Sequence, residues 1–160
     1  MIPENYDLIV IGSGPAGEKG AAAAAYFGKK VAMVEKENFL GGAAANTGTL
    51  PSKTLRESAL YLSGFNQRKI YGAQLDLKKN VHVSDFMAHE RFVKDQERQR
   101  IRENMIKHNV TIYRGLASFV DTQTISVQPE RCPEIRLTAE KFLIATGSYP
   151  FRPKNFPFQI

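Results

Sequence analysis

The hexapeptide Gly12-Ser13-Gly14-Pro15-Ala16-Gly17 is a GxGxxG turn set between an apolar run, Tyr6-Asp7-Leu8-Ile9-Val10-Ile11, and an alanine-rich stretch from Gly17 to Phe27. The β-branched run that ends on glycine suits a strand buried on both faces of a parallel sheet. Alanine is the best helix former and is small enough to let a helix lie close to that sheet. Gly28 then ends the helix and Lys30 to Val34 gives a second apolar run, so strand, helix and strand fit the ~30 residues of a βαβ unit. In that setting Gly12 makes the tight turn, Gly14 leaves room for a pyrophosphate beside the backbone, and Gly17 permits close helix packing, with phosphate charge on the helix N-terminus. The pattern predicts an α/β, Rossmann-like fold that binds a dinucleotide. Taken alone, the same six residues would also suit an ordinary glycine turn.

Glu35 ends the second strand, 18 residues after Gly17, where a carboxylate can accept the hydroxyl hydrogens of an adenosine ribose. The alternative is a plain polar strand end, since Lys36 and Glu37 are charged as well. Neither motif distinguishes FAD from NAD.

The rest of the chain continues the α/β theme. Gly41-Gly42 opens a small-residue loop, and Pro51 starts a helix with Leu55, Ala59 and Leu62 on one face. Tyr71 to Val83 is polar and turn-rich, and Ser84 is the expected N-cap of a long charged helix to about His108, with Phe86, Val93, Ile101 and Met105 as its thin apolar stripe. Val110 to Tyr113 reads as another parallel strand. Ala117 to Val120, Thr124 to Gln128 and Ile135 to Thr138 read as an antiparallel meander, and Lys141 to Ala145 as a last buried strand ending in Thr146-Gly147. The tail, with Pro150, Pro153 and Pro157, reads as a connector, and its Phe156 and Phe158 as a sticky part.

Bulk properties narrow the class. With 160 residues, 42% hydrophobic and 24% charged, the chain matches one soluble globular domain. No apolar run approaches the ~20 residues of a membrane span. The start carries Glu4 and Asp7 rather than the basic, apolar beginning of a signal peptide, so a cytoplasmic location is expected. A net charge of +6 would suit an anionic partner, but many basic residues lie between Arg91 and Lys107, interleaved with acids as on a solvated helix face, so no nucleic-acid partner is expected. Cys132 is the sole cysteine, and His82, His89 and His108 lack metal-ligand spacing, so neither an internal disulfide nor a metal site is expected.

Gly41-Gly42-Ala43-Ala44-Ala45-Asn46-Thr47-Gly48-Thr49-Leu50-Pro51-Ser52-Lys53 resembles the GGxCxNxGCxPSK signature of the lipoamide dehydrogenase and glutathione reductase group, the pyridine nucleotide-disulfide oxidoreductases. Arg114 to Asp121 and the segment Thr138 to Ser148, with its Ala145-Thr146-Gly147, resemble further parts of that family. Both cysteine positions differ, holding Ala44 and Thr49, so dithiol chemistry at the usual place is excluded. The pattern is most similar to the soluble pyridine nucleotide transhydrogenases, which commonly have threonine at the second cysteine position and pass hydride through FAD alone. They often retain the first cysteine, which is Ala44 here.

The resemblance implies site roles position by position. Ser13 and Gly14 would lie at the pyrophosphate, with Pro15, Ala16, Gly42, Ala43, Ala44 and Thr49 lining the cofactor. Glu35 and Lys36 would meet the adenosine ribose, Ala117 the adenine through its backbone, and Ala145, Thr146 and Gly147 would approach from the last strand. Lys53 would stand near the flavin ring, although a lysine solvating the first turn of a helix is the plainer reading. Ala43 replaces the family's phosphate-binding threonine. No catalytic residue is assigned.

By the same resemblance, residues 1–149 form an FAD-binding domain and 150–160 a connector to an NAD(P)-binding domain absent from this sequence. The complete protein would be a homodimer, and this chain alone would not catalyse transhydrogenation. Three other readings stand beside it. An NAD-dependent dehydrogenase domain would have no reason to carry the PSK and ATG segments. The remaining two are a lipoamide dehydrogenase-like flavoprotein with another electron acceptor and a non-catalytic interaction module.

Overall fold

The computed structural model describes residues 4–67 (the backbone alone at 62–67), 82–149, 151 and 153. Most of the polar Tyr71 to Val83 stretch and most of the tail, Phe156 and Phe158 included, lie outside the described residues. Strand β1, Glu4–Ile11, leads through the glycine turn into helix α1, Pro15–Tyr26, and then to β2, Val31–Glu35. The helix starts at Pro15, earlier than the alanine run suggested, because proline at a first helical position gives up an N–H that would be unpaired there anyway. Gly28, at φ +77°, closes the exit of the helix by donating its N–H to the Ala25 carbonyl at 2.9 Å.

The expected small-residue loop contains a short helix, α2, Gly42–Asn46, and α3 begins at Thr49, ahead of Pro51, running to Gln67. On α3, Leu55 is half-buried but Ala59 is exposed, so Ala59 does not join the expected apolar face, and the Leu62 side chain lies outside the described residues. Helix α4, Val83–Lys107, is capped by His82 rather than Ser84. Asp85 decides this: its carboxylate accepts the His82 N–H at 3.1 Å, one side of a capping box.

Strands β3, Thr111–Arg114, β4, Leu116–Phe119, β5, Thr124–Gln128, and β6, Ile135–Ile144, complete one six-stranded sheet of order β3-β2-β1-β6-β5-β4. The pairs β1–β2, β2–β3 and β1–β6 are parallel, while β4–β5 and β5–β6 are antiparallel. The segments Ile135 to Thr138 and Lys141 to Ala145, expected as two strands, are one. Ala139 and Glu140 between them are not turn residues, and Ala139 is buried in register with Tyr6. One strand therefore serves both the meander and the parallel sheet.

Two apolar layers hold the sheet. On one face Val10, Val31 and Met33 pack with Ala21 of α1 and with Met105 of α4; on the other Tyr6, Ile9, Ala32 and Val34 meet Ile125, Val127 and Leu137 of the meander. Half-buried Ala117 of β4 packs against this second layer, and the Gly115 N–H donates to the Glu35 carbonyl at 3.0 Å. The meander is thus folded back to the end of β2. Met105 has no exposed surface and joins α4 to the sheet, so Met105→Ala should cost about 3 kcal/mol. Urea unfolding checks this, and a loss below about 1 kcal/mol would show that α4 is not part of the core.

Candidate dinucleotide site

The parallel strands end level with one another: Ile11 of β1 is in register with Val34 of β2 and with Ile144 of β6. The glycine turn crosses this edge. Gly12 has φ +103°, donates its N–H to the Val34 carbonyl at 2.8 Å, and lies so near β6 that a Cβ would sit 2.3 Å from the Ala145 oxygen. Only glycine fits that approach. A Cβ on Gly17 would stand 1.9 Å from the Gly12 oxygen, which makes the third glycine a packing requirement within the turn itself.

Gly14 is different. It caps α1 with an extended backbone, φ −63°, and a Cβ there would meet no atom within 4 Å. The space over the helix N-terminus is open, and the N–H groups of Gly14 and Ala16 have no acceptor among the described residues. Pro15 and Ala16 are exposed beside it. Unpaired amides and the helix dipole make this end attractive to an anion.

Ser13 is fully buried, and its two donors turn away from the open space. Its N–H donates to Glu35 Oε2 at 2.9 Å and its hydroxyl to the same oxygen at 2.5 Å, while the Gly41 N–H donates to Ser13 Oγ at 3.1 Å. The donors left without an acceptor at this turn, among the described residues, are therefore the Gly14 and Ala16 amides rather than those of Ser13. Glu35 Oε1 accepts the Glu37 N–H at 2.9 Å, so three of a carboxylate's about four acceptor sites are already used. Lys36 is exposed next to it, in a 3.7 Å ion pair with Glu37.

The second wall comes from α2. A Cβ on Gly42, at φ +55°, would lie 3.0 Å from the Gly14 Cα, so the two glycine turns touch. Ala43 is exposed and Ala44 half-buried on α2; Thr49 and Lys53 are exposed at the start of α3, and Lys53 makes no hydrogen bond or ion pair among the described residues. Ala145 follows β6 and donates its N–H to the Ile11 carbonyl at 2.8 Å, and Thr146 and Gly147 continue exposed past Gly12. Ala117, on β4, follows Gly115, whose N–H donates to the Glu35 carbonyl at 3.0 Å.

This strand-turn-helix cradle stands within a longer match. The family model for pyridine nucleotide-disulphide oxidoreductases matches residues 6–159. The chain belongs to this family. It is 43% identical over 154 residues to a soluble pyridine nucleotide transhydrogenase of Mycobacterium bovis (strain BCG / Pasteur 1173P2), a match covering 96% of this chain and 33% of that protein. A soluble pyridine nucleotide transhydrogenase of Vibrio atlanticus (strain LGP32) is 38% identical over 157 residues, again over 96% of this chain and 33% of the relative. Among solved structures, the HOCl-induced flavoprotein disulfide reductase RclA from Escherichia coli, as its Cu(II) complex, superposes with a TM-score of 0.77 at 24% identity, covering 94% of this chain and 30% of that one. This last likeness shows a shared fold. The chain spans about a third of the length of the curated relatives it matches. No helix among the described residues is long and apolar enough to cross a membrane.

In this family member the sequence missed the contribution of α4, whose charges had looked like a solvated face. Glu18, in the first turn of α1, is buried, and both of its oxygens accept from the Arg100 guanidinium at 3.1 Å, while Asn104 Nδ2 donates to Oε1 at 2.8 Å. Burial works to raise the Glu18 carboxyl, but the bonds from Arg100 and Asn104 outweigh it and hold the group below the usual carboxylate range. The stabilisation is therefore complete above the ordinary range and is lost as pH falls through the depressed folded-state value. Glu18→Gln should be less stable than wild type at pH 7, with the gap narrowing toward pH 3, as read from urea midpoints. A gap that stays constant across this window would contradict the ion pair.

Proposed function

We propose that residues 1–149 bind FAD as the flavin-carrying part of an oxidoreductase that exchanges hydride between NAD(H) and NADP(H), and that residues 150–160 connect this part to an NAD(P)-binding domain. The observation that carries the reading is the open cradle over Gly14, walled by Gly42 and closed behind by the Ser13–Glu35 pair. The names of the transhydrogenase relatives support the reaction class, and the homodimer expected of the complete protein belongs to the same proposal.

The residues fit the group. The Gly14 and Ala16 amides and the α1 dipole neutralise pyrophosphate charge. Glu35 has an acceptor site left for a ribose hydroxyl, and rotation of the Ser13 hydroxyl would free a second. Ala117 offers backbone to the adenine, and Thr146 and Gly147 close the side next to β6. The Lys53 ammonium, unpaired among the described residues, supplies positive charge on the flavin side. The chemistry of bound FAD is acceptance and return of a hydride. Because Ala44 and Thr49 hold no sulfur, no thiolate takes part at these positions. Transfer requires nicotinamide and flavin held together, and this proposal assigns the nicotinamide to the NAD(P)-binding domain to which residues 150–160 would lead.

Titration with FAD, followed by flavin fluorescence, tests the cradle. Wild type is expected to bind. Gly14→Ala fills open space at an unstrained φ, so its urea midpoint should match wild type while its affinity for FAD falls at least about tenfold. Equal affinity in the variant, or no binding by wild type, contradicts the proposal. A second test is reduction: NADH should leave the bound flavin oxidised, and bleaching by NADH would place a nicotinamide site within these 160 residues.

A further inference from the structure

Helix α4 reaches both walls of the cradle through different side chains. Arg98 Nε donates to Asn46 Oδ1 at 2.8 Å, its guanidinium carbon lies 3.7 Å from the centre of the Phe39 ring, and its Nη1 donates to Asp95 at 2.9 Å. Asn46 passes this hold on, donating from Nδ2 to the carbonyls of Leu40 at 3.0 Å and Gly42 at 2.9 Å. These two carbonyls flank the Gly41–Gly42 turn, the wall that touches Gly14. Arg100, fixed by Glu97 at 2.8 Å, grips Glu18 in the first turn of α1, the other wall.

These contacts differ from solvated helix charges. They join residues 52 and 82 positions apart, and only 19% of the Arg98 side chain is accessible. A two-pronged grip on a carboxylate and a planar stack on an aromatic ring both need a guanidinium, and lysine reproduces neither.

We infer that Arg98 and Arg100 are positioning residues for the dinucleotide, each holding one wall of the cradle to α4 and together setting how the Gly42 turn lies against Gly14. The inference rests on the FAD reading above for its ligand. Neither arginine touches the open space itself, and their effect passes through Asn46 and Glu18.

The test compares Arg98→Lys, Arg100→Lys and Phe39→Leu with wild type in the whole chain, by FAD titration and by amide hydrogen exchange without FAD. Each variant is expected to weaken FAD binding, the lysine variants about tenfold. Arg98→Lys and Phe39→Leu should speed exchange at the Ala45, Thr47 and Gly48 amides, and Arg100→Lys at the Glu18 amide, with the sheet strands unchanged. Phe39→Leu keeps the charge and the Asn46 bond, so it reads the Arg98 wall even if Arg98→Lys does not fold; Asn104→Ala does the same for the Glu18 wall. Unchanged FAD affinity in every folded variant overturns the inference, as does a uniform loss of protection across the sheet. A wild-type chain that takes up no FAD overturns the cofactor reading instead. The exchange pattern then decides the bracket alone: separate losses at the two walls uphold it and a common loss refutes it.

Discussion

A buried carboxylate organises the end of the sheet that carries the glycine turn. Glu35 accepts the N–H and hydroxyl of Ser13 on one oxygen and the Glu37 N–H on the other, and its own carbonyl accepts the Gly115 N–H. Burying such a charge is costly unless it is hydrogen-bonded, and here the donors come from the glycine turn and from the chain leaving β2. The same tie draws in Gly41, whose N–H reaches the Ser13 hydroxyl. Glycine turn, strand end, α2 wall and meander are therefore fixed to one point, and the open face of the turn is left to Gly14 and Ala16.

Much of this was legible because local chemistry dictated it. The strand-turn-helix order from Tyr6 to Glu35 follows from β-branched periodicity, three glycines and an alanine run, and the structure keeps every element of it. Where the reading failed, the deciding contact was distant or the segment too short. Helix α2 has five residues, too few for propensity to register; the left-handed Gly41 and the Asn46 side chain make it a helix. The unbroken β6 depends on its pairing with both β1 and β5, which no window of its own residues reveals.

The site was legible in position more than in role. Ser13 and Glu35 were both picked out, but the sequence held no sign that they bond each other. Arg98 and Arg100 sat in a run whose alternating charge is typical of an exposed helix, and their partners lie far back in the chain. The acid Glu18 directly after the third glycine was the available signal, since a buried acid in the first turn of a packed helix demands a cation.

Ala44, half-buried on α2, and Thr49, exposed at the start of α3, hold no sulfur. The most direct measurement is a crystal structure of this chain with FAD. It should show the pyrophosphate within hydrogen-bond distance of the Gly14 and Ala16 amides, the adenosine ribose on Glu35, and the flavin ring toward the start of α3. FAD lying away from the glycine turn, or a ribose that leaves Glu35 bonded to Ser13 and Glu37 alone, would contradict the account.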